Sequence, residues 1–287
     1  MAEQTILRRA RKSGRANRRK VNKLRGARPM APGVPKSRTM RSVLLLLSLS
    51  LWALSPTCAQ TAQQPKAAAR IYFDQAHGEA PPPAPMADIG RRLGYTLDLV
   101  RDAATTESLR GSHLVYFRAP NGTFTESEKA AIVAYVNSGG SLLLVLDEEN
   151  RQSLAKTGIN DILVPFGMKL SGDTPRIVNT GAIAKAGEIN HADRQVPYDG
   201  GREIFGGTPF AFQLDRNGNP AQPYAAYKKL DNGARIVVMA EGMASLFLGS
   251  PDGVRLHEDP VNPGNTKWWG KDSHVFMEEV LAWLLAH

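Results

Sequence analysis

The residues best suited to chemistry stand directly after an apolar triplet. Asp74, His77 and Gly78 follow Ile71-Tyr72-Phe73 in the run Ile-Tyr-Phe-Asp-Gln-Ala-His-Gly. A second group, Asp147-Glu148-Glu149, leaves the run Ser141-Leu-Leu-Leu-Val-Leu146. If both runs are strands of one open α/β sheet, their carboxyl ends share a rim, and ligands bind in the crevice beyond such a rim. Asp74, His77, Gly78, Asp147 and Glu148 would then line one pocket. Carboxylate oxygens beside an imidazole can hold a divalent cation, with Asp74, His77 and Asp147 as the candidate metal set. Alternatively, His77 could act as acid or base, held in place by Asp74. That would make a metal-assisted hydrolase of Asp74, His77 and Asp147 or Glu148. The plainer structural alternative is that Asp74 accepts from the amides of the turn behind it. Gly78 then supplies only a left-handed backbone, and the acids of 147–149 start a helix.

Other chemistry-bearing residues carry weaker signals. Trp268, in Lys267-Trp-Trp-Gly-Lys271, could stack on a sugar face or anchor a partner; packing of one tryptophan in the core is the ordinary alternative. His257-Glu258-Asp259 and Asn262 fall in a polar stretch expected to be a long loop. Glu188, His191 and Tyr198 sit in a poorly patterned middle region. Gly206-Gly207 is read as a turn, and no Gly-Lys-Ser/Thr ending makes it a phosphate loop. His113 and His274 flank apolar runs, as packing residues do.

The elements that must position these residues are legible in the first half. Strands are expected at 71–73, 95–100, 114–117 and 141–146, with a helix at 86–93. Thr125-Glu-Ser-Glu128 is a capping box, ahead of apolar positions at helical spacing that end at Gly139-Gly140. The unbroken apolar run at 141–146 fits a strand covered on both faces. A short helix is expected at 159–166, extended pieces at 176–179, 224–229 and 234–240, a loop at 249–264, and an amphipathic closing helix at 273–286. Strands alternating with helices predict an α/β fold with a doubly wound, mostly parallel sheet.

Charge is unevenly placed. The 287 residues hold 36 Lys/Arg and 27 Asp/Glu, and 14 of the bases lie in residues 1–41 beside a single acid. The formal +9 therefore belongs to the leader, and the rest is mildly acidic, so no nucleic-acid partner is expected. Val43–Leu54 is too short to span a bilayer comfortably. With Arg41 before it and Thr57-Cys58-Ala59 after it, it is patterned as a secretory signal. The expected organisation is a basic extension at 1–39, a signal peptide at 40–59, a linker at 60–69 and one domain at 70–287. Membrane contact is then transient, unless the leader stays uncleaved as a tether. Cys58 is the sole cysteine, so cleavage after Ala59 leaves no thiolate and no disulfide.

Four stretches together resemble a known family. They are 71–78, 124–128 with Tyr135-Val-Asn-Ser-Gly-Gly-Ser-Leu-Leu-Leu144, Ile159-Asn-Asp-Ile-Leu-Val-Pro-Phe-Gly167, and His274-Val-Phe with Leu281-Ala-Trp-Leu-Leu285. Their order resembles the class I glutamine-amidotransferase-like proteins related to the gliding-motility component GldG and to an intraflagellar-transport subunit. The resemblance implies a flavodoxin-like sheet topology and a domain that is commonly non-catalytic. The true amidotransferases carry a cysteine at a strand-to-helix elbow, and none stands at the strand ends here. The expectation from the sequence is thus an exported bacterial module, periplasmic or extracellular and leaning away from enzymatic activity. It would bind a small molecule, a glycan or a protein at the strand-end crevice through Asp74, His77, Gly78, Asp147, Glu148 and Trp268. It would take no cofactor, and could serve as an envelope transport or assembly accessory.

Overall fold

The computed structural model describes residues 69–175, 181–198, 200–242, 245 and 272–286. The leader, the expected strand at 176–179, the expected loop at 249–264 and Trp268 lie outside these residues.

The elements follow in chain order: β1 (Ala69–Asp74), α1 (Pro85–Leu93), β2 (Tyr95–Val100), α2 (Thr106–Leu109), β3 (Leu114–Arg118), α3 (Glu126–Asn137), β4 (Ser141–Val145), α4 (Leu154–Thr157) and α5 (Asn160–Leu163). A 3₁₀ turn at Val164–Phe166 follows. Then come β5 (Lys169–Asp173), β6 (Ala182–Ala184), β7 (Arg194–Val196), β8 (Arg202–Phe205), β9 (Thr208–Leu214), β10 (Pro220–Lys229), β11 (Arg235–Met239) and the closing helix α6 (Ser273–Leu285).

The main sheet has nine strands in the order β2-β1-β3-β4-β11-β10-β9-β6-β7, and β5 and β8 form a small antiparallel pair. The five strands β2-β1-β3-β4-β11 are parallel throughout. Their order is the flavodoxin-like 2-1-3-4-5, with β11 as the fifth strand. The expected doubly wound sheet is present. Of the antiparallel extension β10-β9-β6-β7, the sequence reading held only the extended piece at 224–229, which lies within β10. β6 and β7 are only three residues long, whereas β9 and β10 have seven and ten, and all four are joined by turns and loops rather than by helices.

Residue alternation along each parallel strand sorts the core into two layers. Ile71, Phe73, Leu114, Tyr116, Leu143, Val145, Val237 and Met239 pack with Met86 and Ile89 of α1 and with Phe276 and Val280 of α6. Tyr72, Val115, Phe117, Leu142, Leu144, Ile236 and Val238 pack with Ile132 and Val136 of α3 and with Ile162 of α5. Both faces of β3 and β4 are thus covered, which is why these strands read as continuous apolar runs. Among the described residues no helix is long and apolar enough to cross a membrane.

Gly206 and Gly207 form the corner where the chain passes from β8 in the small sheet to β9 in the large one. Both have left-handed backbone, at φ +78° and +73°. A side chain on Gly206 would collide with the backbone carbonyl of Gly167. The expected turn is therefore also a close approach of two backbones. Gly206→Ala is expected to cost about 2–4 kcal/mol, because left-handed strain and a collision with rigid backbone add together. Urea denaturation should show the loss as a lower midpoint at an unchanged slope.

Candidate functional site at the strand switch

From β1 the chain runs outward to β2, and β3 lies on the other side of β1. The carboxyl ends of β1 and β3 therefore flank the switch point, where open α/β sheets place their ligands. Asp74 is the last residue of β1 and Arg118 the last of β3.

Asp74 is fully buried, and its Oδ2 lies 2.8 Å from Nδ1 of His77. The His77 backbone amide donates to Glu79 Oε2 at 3.1 Å and, more weakly, to Asp74 Oδ2 at 3.3 Å. Nε2 of the same ring faces Glu128 Oε1 at 3.2 Å. The imidazole lies flat on Phe124, with centroids 3.8 Å apart. Its backbone carbonyl accepts from the amides of Asn121 and Gly122, each at 2.7 Å. Glycine at 122 suits that approach, since a Cβ there would stand 3.0 Å from His77 Cα, tighter than ordinary contact. Gly78 closes the turn with φ +81°.

Glu128 is the residue whose second task the sequence reading missed. As the third residue of α3 it closes the expected capping box, with Oε2 accepting from the Thr125 amide at 2.8 Å and the Thr125 hydroxyl at 2.7 Å. Its other oxygen is left for His77 and for the amide of Ala104 at 3.3 Å. Glu79 was missed as well. It is buried beside Asp74, and Glu79 Oε1 and Asp74 Oδ1 have no hydrogen-bond partner. Asp74, His77 and Glu79 each bring a ligand atom to within 4.8 Å of the others. Arg118, a cation ending an apolar strand, was the readable clue to a buried charged site. It donates to the carbonyls of Ala80 and Pro81 at 2.6 and 2.7 Å, which pins the proline-rich loop.

Burial pushes the Glu79 carboxyl up, helped by the neighbouring Asp74, to about 9. For His77 burial acts downward, but the hydrogen bond to Asp74 and the charges of Asp74 and Glu128 outweigh it, and the imidazole ends above its ordinary value. Burial raises Glu128, yet its bonds to Thr125 and the His77 charge bring it below the usual carboxylate range. Burial lowers Arg118.

The second acidic group is placed elsewhere. β3 lies between β1 and β4, so their ends are separated by two strand spacings, roughly 10 Å. Asp147 is outside the Asp74-His77-Glu79 group. Its Oδ1 accepts from the amide of Glu148 at 2.8 Å, and its Oδ2 meets Arg151 at 3.2 Å. Arg202, fully buried on β8, donates its Nε to the Asp147 carbonyl at 2.5 Å and a further bond to the Gln152 carbonyl, and pairs with Glu149 at 2.9 Å. This arginine, which the sequence reading did not single out, holds the Glu149 carboxylate and the backbone of Asp147, while the carboxylates of Asp147 and Glu148 face Arg151.

The remaining candidates have structural partners. His113 Nδ1 accepts from the Arg70 amide, and His274 is buried against Arg92. Glu188 receives Tyr227 OH and Trp283 Nε1. His191 sits with Arg194 on Glu279 of α6. Tyr198 OH shares a 2.5 Å hydrogen bond with Thr174.

Residues 71–180, from β1 through this site to β5, match the family model described as the IFT52 GIFT domain. Intraflagellar transport protein 52 homolog of Mus musculus is 26% identical over 168 residues, which is 55% of this chain and 37% of that protein. The chain thus spans little more than a third of the relative's length. Among solved structures, the mmIFT52 N-terminal domain aligns at a TM-score of 0.54 and 17% identity, covering 76% of this chain and 98% of that one. A putative GMP synthase component from Thermoplasma acidophilum aligns at a TM-score of only 0.41, with 14% identity over 60% of this chain and 83% of that one.

These matches correct the functional expectation. They name intraflagellar transport, so the exported, periplasmic or extracellular bacterial module is overturned, and with it the GldG-type envelope accessory. The small molecule or glycan in a strand-end crevice goes with that reading. So does the metal-assisted hydrolase, whose two acidic groups the sheet also holds two strands apart. What stands is that residues 71–180 are similar to the IFT52 GIFT domain, on a sheet folded like that of the mmIFT52 N-terminal domain.

Proposed function

We propose that this chain is a docking subunit of a multi-protein transport assembly of the intraflagellar kind, acting through protein–protein contact rather than by turnover of a substrate. The observation that supports this most is the match of residues 71–180 to the IFT52 GIFT domain, since that stretch contains the parallel strands β1 to β4 and the whole switch-point cluster. The chemistry of the site agrees with such a role. Asp74, His77, Glu79, Asp147 and Glu148 are all buried, and each joins its neighbours rather than an open pocket. No cysteine stands among the described residues, so the thiol route to glutamine hydrolysis has no nucleophile there.

The test is affinity purification of the full tagged chain from its native cells with cross-linking mass spectrometry, alongside imaging of the tagged chain. The expected result is stoichiometric recovery with homologues of intraflagellar-transport subunits, and signal along flagella or at their bases. A chain that purifies without such partners, or that resides outside the flagellar compartment, ends this reading.

A further inference from the structure

We infer that Asp74, His77 and Glu79 form a structural binding site for a divalent cation of the zinc class, with Glu128 behind it as the partner that orients the imidazole. The site does not depend on the docking role proposed above.

The donors are one imidazole nitrogen and two carboxylates. Borderline divalent transition ions accept that mixture, and zinc in particular takes His nitrogen and Asp/Glu oxygen in tetrahedral sites. Around such an ion adjacent donors stand roughly 3.3 Å apart, the edge of a tetrahedron with bonds of about 2.0–2.1 Å. Here the three donors already lie within 4.8 Å of one another. Small torsional adjustments are enough to close them on one centre. All three side chains are at least nine-tenths buried, at 0%, 5% and 7% exposure.

Two further observations point to a ligand rather than to a merely acidic loop. The first is that Asp74 Oδ1 and Glu79 Oε1 are buried without a hydrogen-bond partner. Such an orphaned acceptor costs about 1–3 kcal/mol unless something supplies positive charge or a proton. The second is the direction of the imidazole. Nε2 is turned to Glu128, which leaves Nδ1 as the nitrogen facing Asp74. A histidine that donates one N–H to a carboxylate and offers the other nitrogen to a metal is the usual arrangement behind metal ligands, because the second bond sets both tautomer and ring angle. Phe124 stacked on the ring removes its remaining freedom.

The charges also fit. Asp74, Glu79 and Glu128 bring three carboxyls to a space with one imidazole, and the Arg118 guanidinium is spent on the carbonyls of Ala80 and Pro81. Two arrangements relieve that excess. In one, a proton sits between Asp74 and Glu79. In the other, a divalent cation takes the place of the protons on Glu79 and His77, and those protons leave to solvent.

The experiment uses the full chain, stripped with a chelator and titrated with Zn2+, with Mg2+ as control, while thermal unfolding is followed. Co2+ is the spectroscopic probe. The expected result is one stoichiometric equivalent, a raised Tm with Zn2+ and none with Mg2+, and visible Co2+ bands of a four-coordinate site. Glu79→Gln and His77→Ala should abolish all three, and Glu128→Gln should weaken affinity by roughly 10–100-fold. His191→Ala, which removes an exposed imidazole from the buried Glu279, should leave the Zn2+ and Co2+ responses unchanged. Should His77→Ala fail to fold, Glu79→Gln keeps the ring and its packing and decides alone. No stabilisation by Zn2+, or the same stabilisation in Glu79→Gln, overturns the site and leaves the shared proton as its occupant.

Discussion

Arg202→Met is expected to remove roughly 3–5 kcal/mol of folding stability, the range for deleting one partner of a fully buried polar network. Arg202 is fully buried on a strand of the small sheet, yet its guanidinium reaches the loop after β4. There it donates to the carbonyls of Asp147 and Gln152 and pairs with Glu149, and a longer bond of 3.4 Å goes to the Ser171 carbonyl on β5. Its own amide donates to Ala240 beyond β11. One side chain thus ties three segments together, and methionine would leave those carbonyls without the donors that now reach them. The half-exposed Glu149 contributes little by comparison, because an ion pair at that exposure is screened by solvent. Arg202→Lys should fall between wild type and methionine, since an ammonium keeps the charge but loses the planar fork. Urea denaturation of Arg202→Met, Arg202→Lys and Glu149→Gln would check the order. A Glu149→Gln loss equal to that of Arg202→Met would mean that the ion pair, and not the carbonyl bonds, holds this corner.

In the presence of a chelator, stability is expected to fall as pH rises from about 5 to 9. Glu79 has a folded-state pKa raised to about 9, and His77 is raised above its ordinary value. For a raised pKa the folded state holds more protons than the unfolded state between the two values. The stabilisation is complete below the unfolded pKa and is lost as pH climbs through the folded one. For Glu79 that window opens in the ordinary carboxylate range and closes near pH 9; for His77 it opens near 6.5. One such proton gives a slope approaching 1.4 kcal/mol per pH unit, about the energy of a single unit of pKa shift. Carboxyls held low behave oppositely. Glu279, buried and brought to about 2 against the pull of burial by Arg194, Asn190 and His191, stabilises above the ordinary carboxylate range and loses that contribution as pH falls toward 2. The metal-free protein should therefore be most stable near pH 5. Glu79→Gln should remove most of the alkaline decline, because an amide carries no proton to lose. Chemical denaturation across pH in wild type and Glu79→Gln is the measurement. A wild type as stable at pH 8.5 as at pH 5.5 would show that Glu79 is ionised in the folded chain. Saturating the proposed cation site should flatten or reverse the same slope, since metal and protons compete for the same donors.

The local elements of the first half were legible because short-range physics dictates them. Thr125 and Glu128 satisfy each other's orphan groups wherever a helix begins, so the capping box could be read and is found. The 141–146 run could be read as a strand covered on both faces, and β4 is one. Asp74 and His77 are three residues apart, so their contact is set by one turn and was foreseen. The pairing with Asp147 and Glu148 was not a local matter. It depended on strand order, and the intervening β3 keeps the two ends two strand spacings apart. Only the tertiary structure could bring in Glu128 and Arg202, because their partners lie 51 and 55 residues away along the chain. The far edge of the antiparallel extension was hidden for a similar reason. Strands of three residues such as β6 and β7 carry too little alternation to declare themselves, and they exist because neighbours supply their hydrogen bonds. Composition and periodicity thus determined the α/β class, the helix starts and the acid-imidazole turn, which are properties of residues within a few positions of one another. Which carboxylates share a buried charge, and which are clamped by an arginine instead, was decided by the order in which the chain laid its strands side by side.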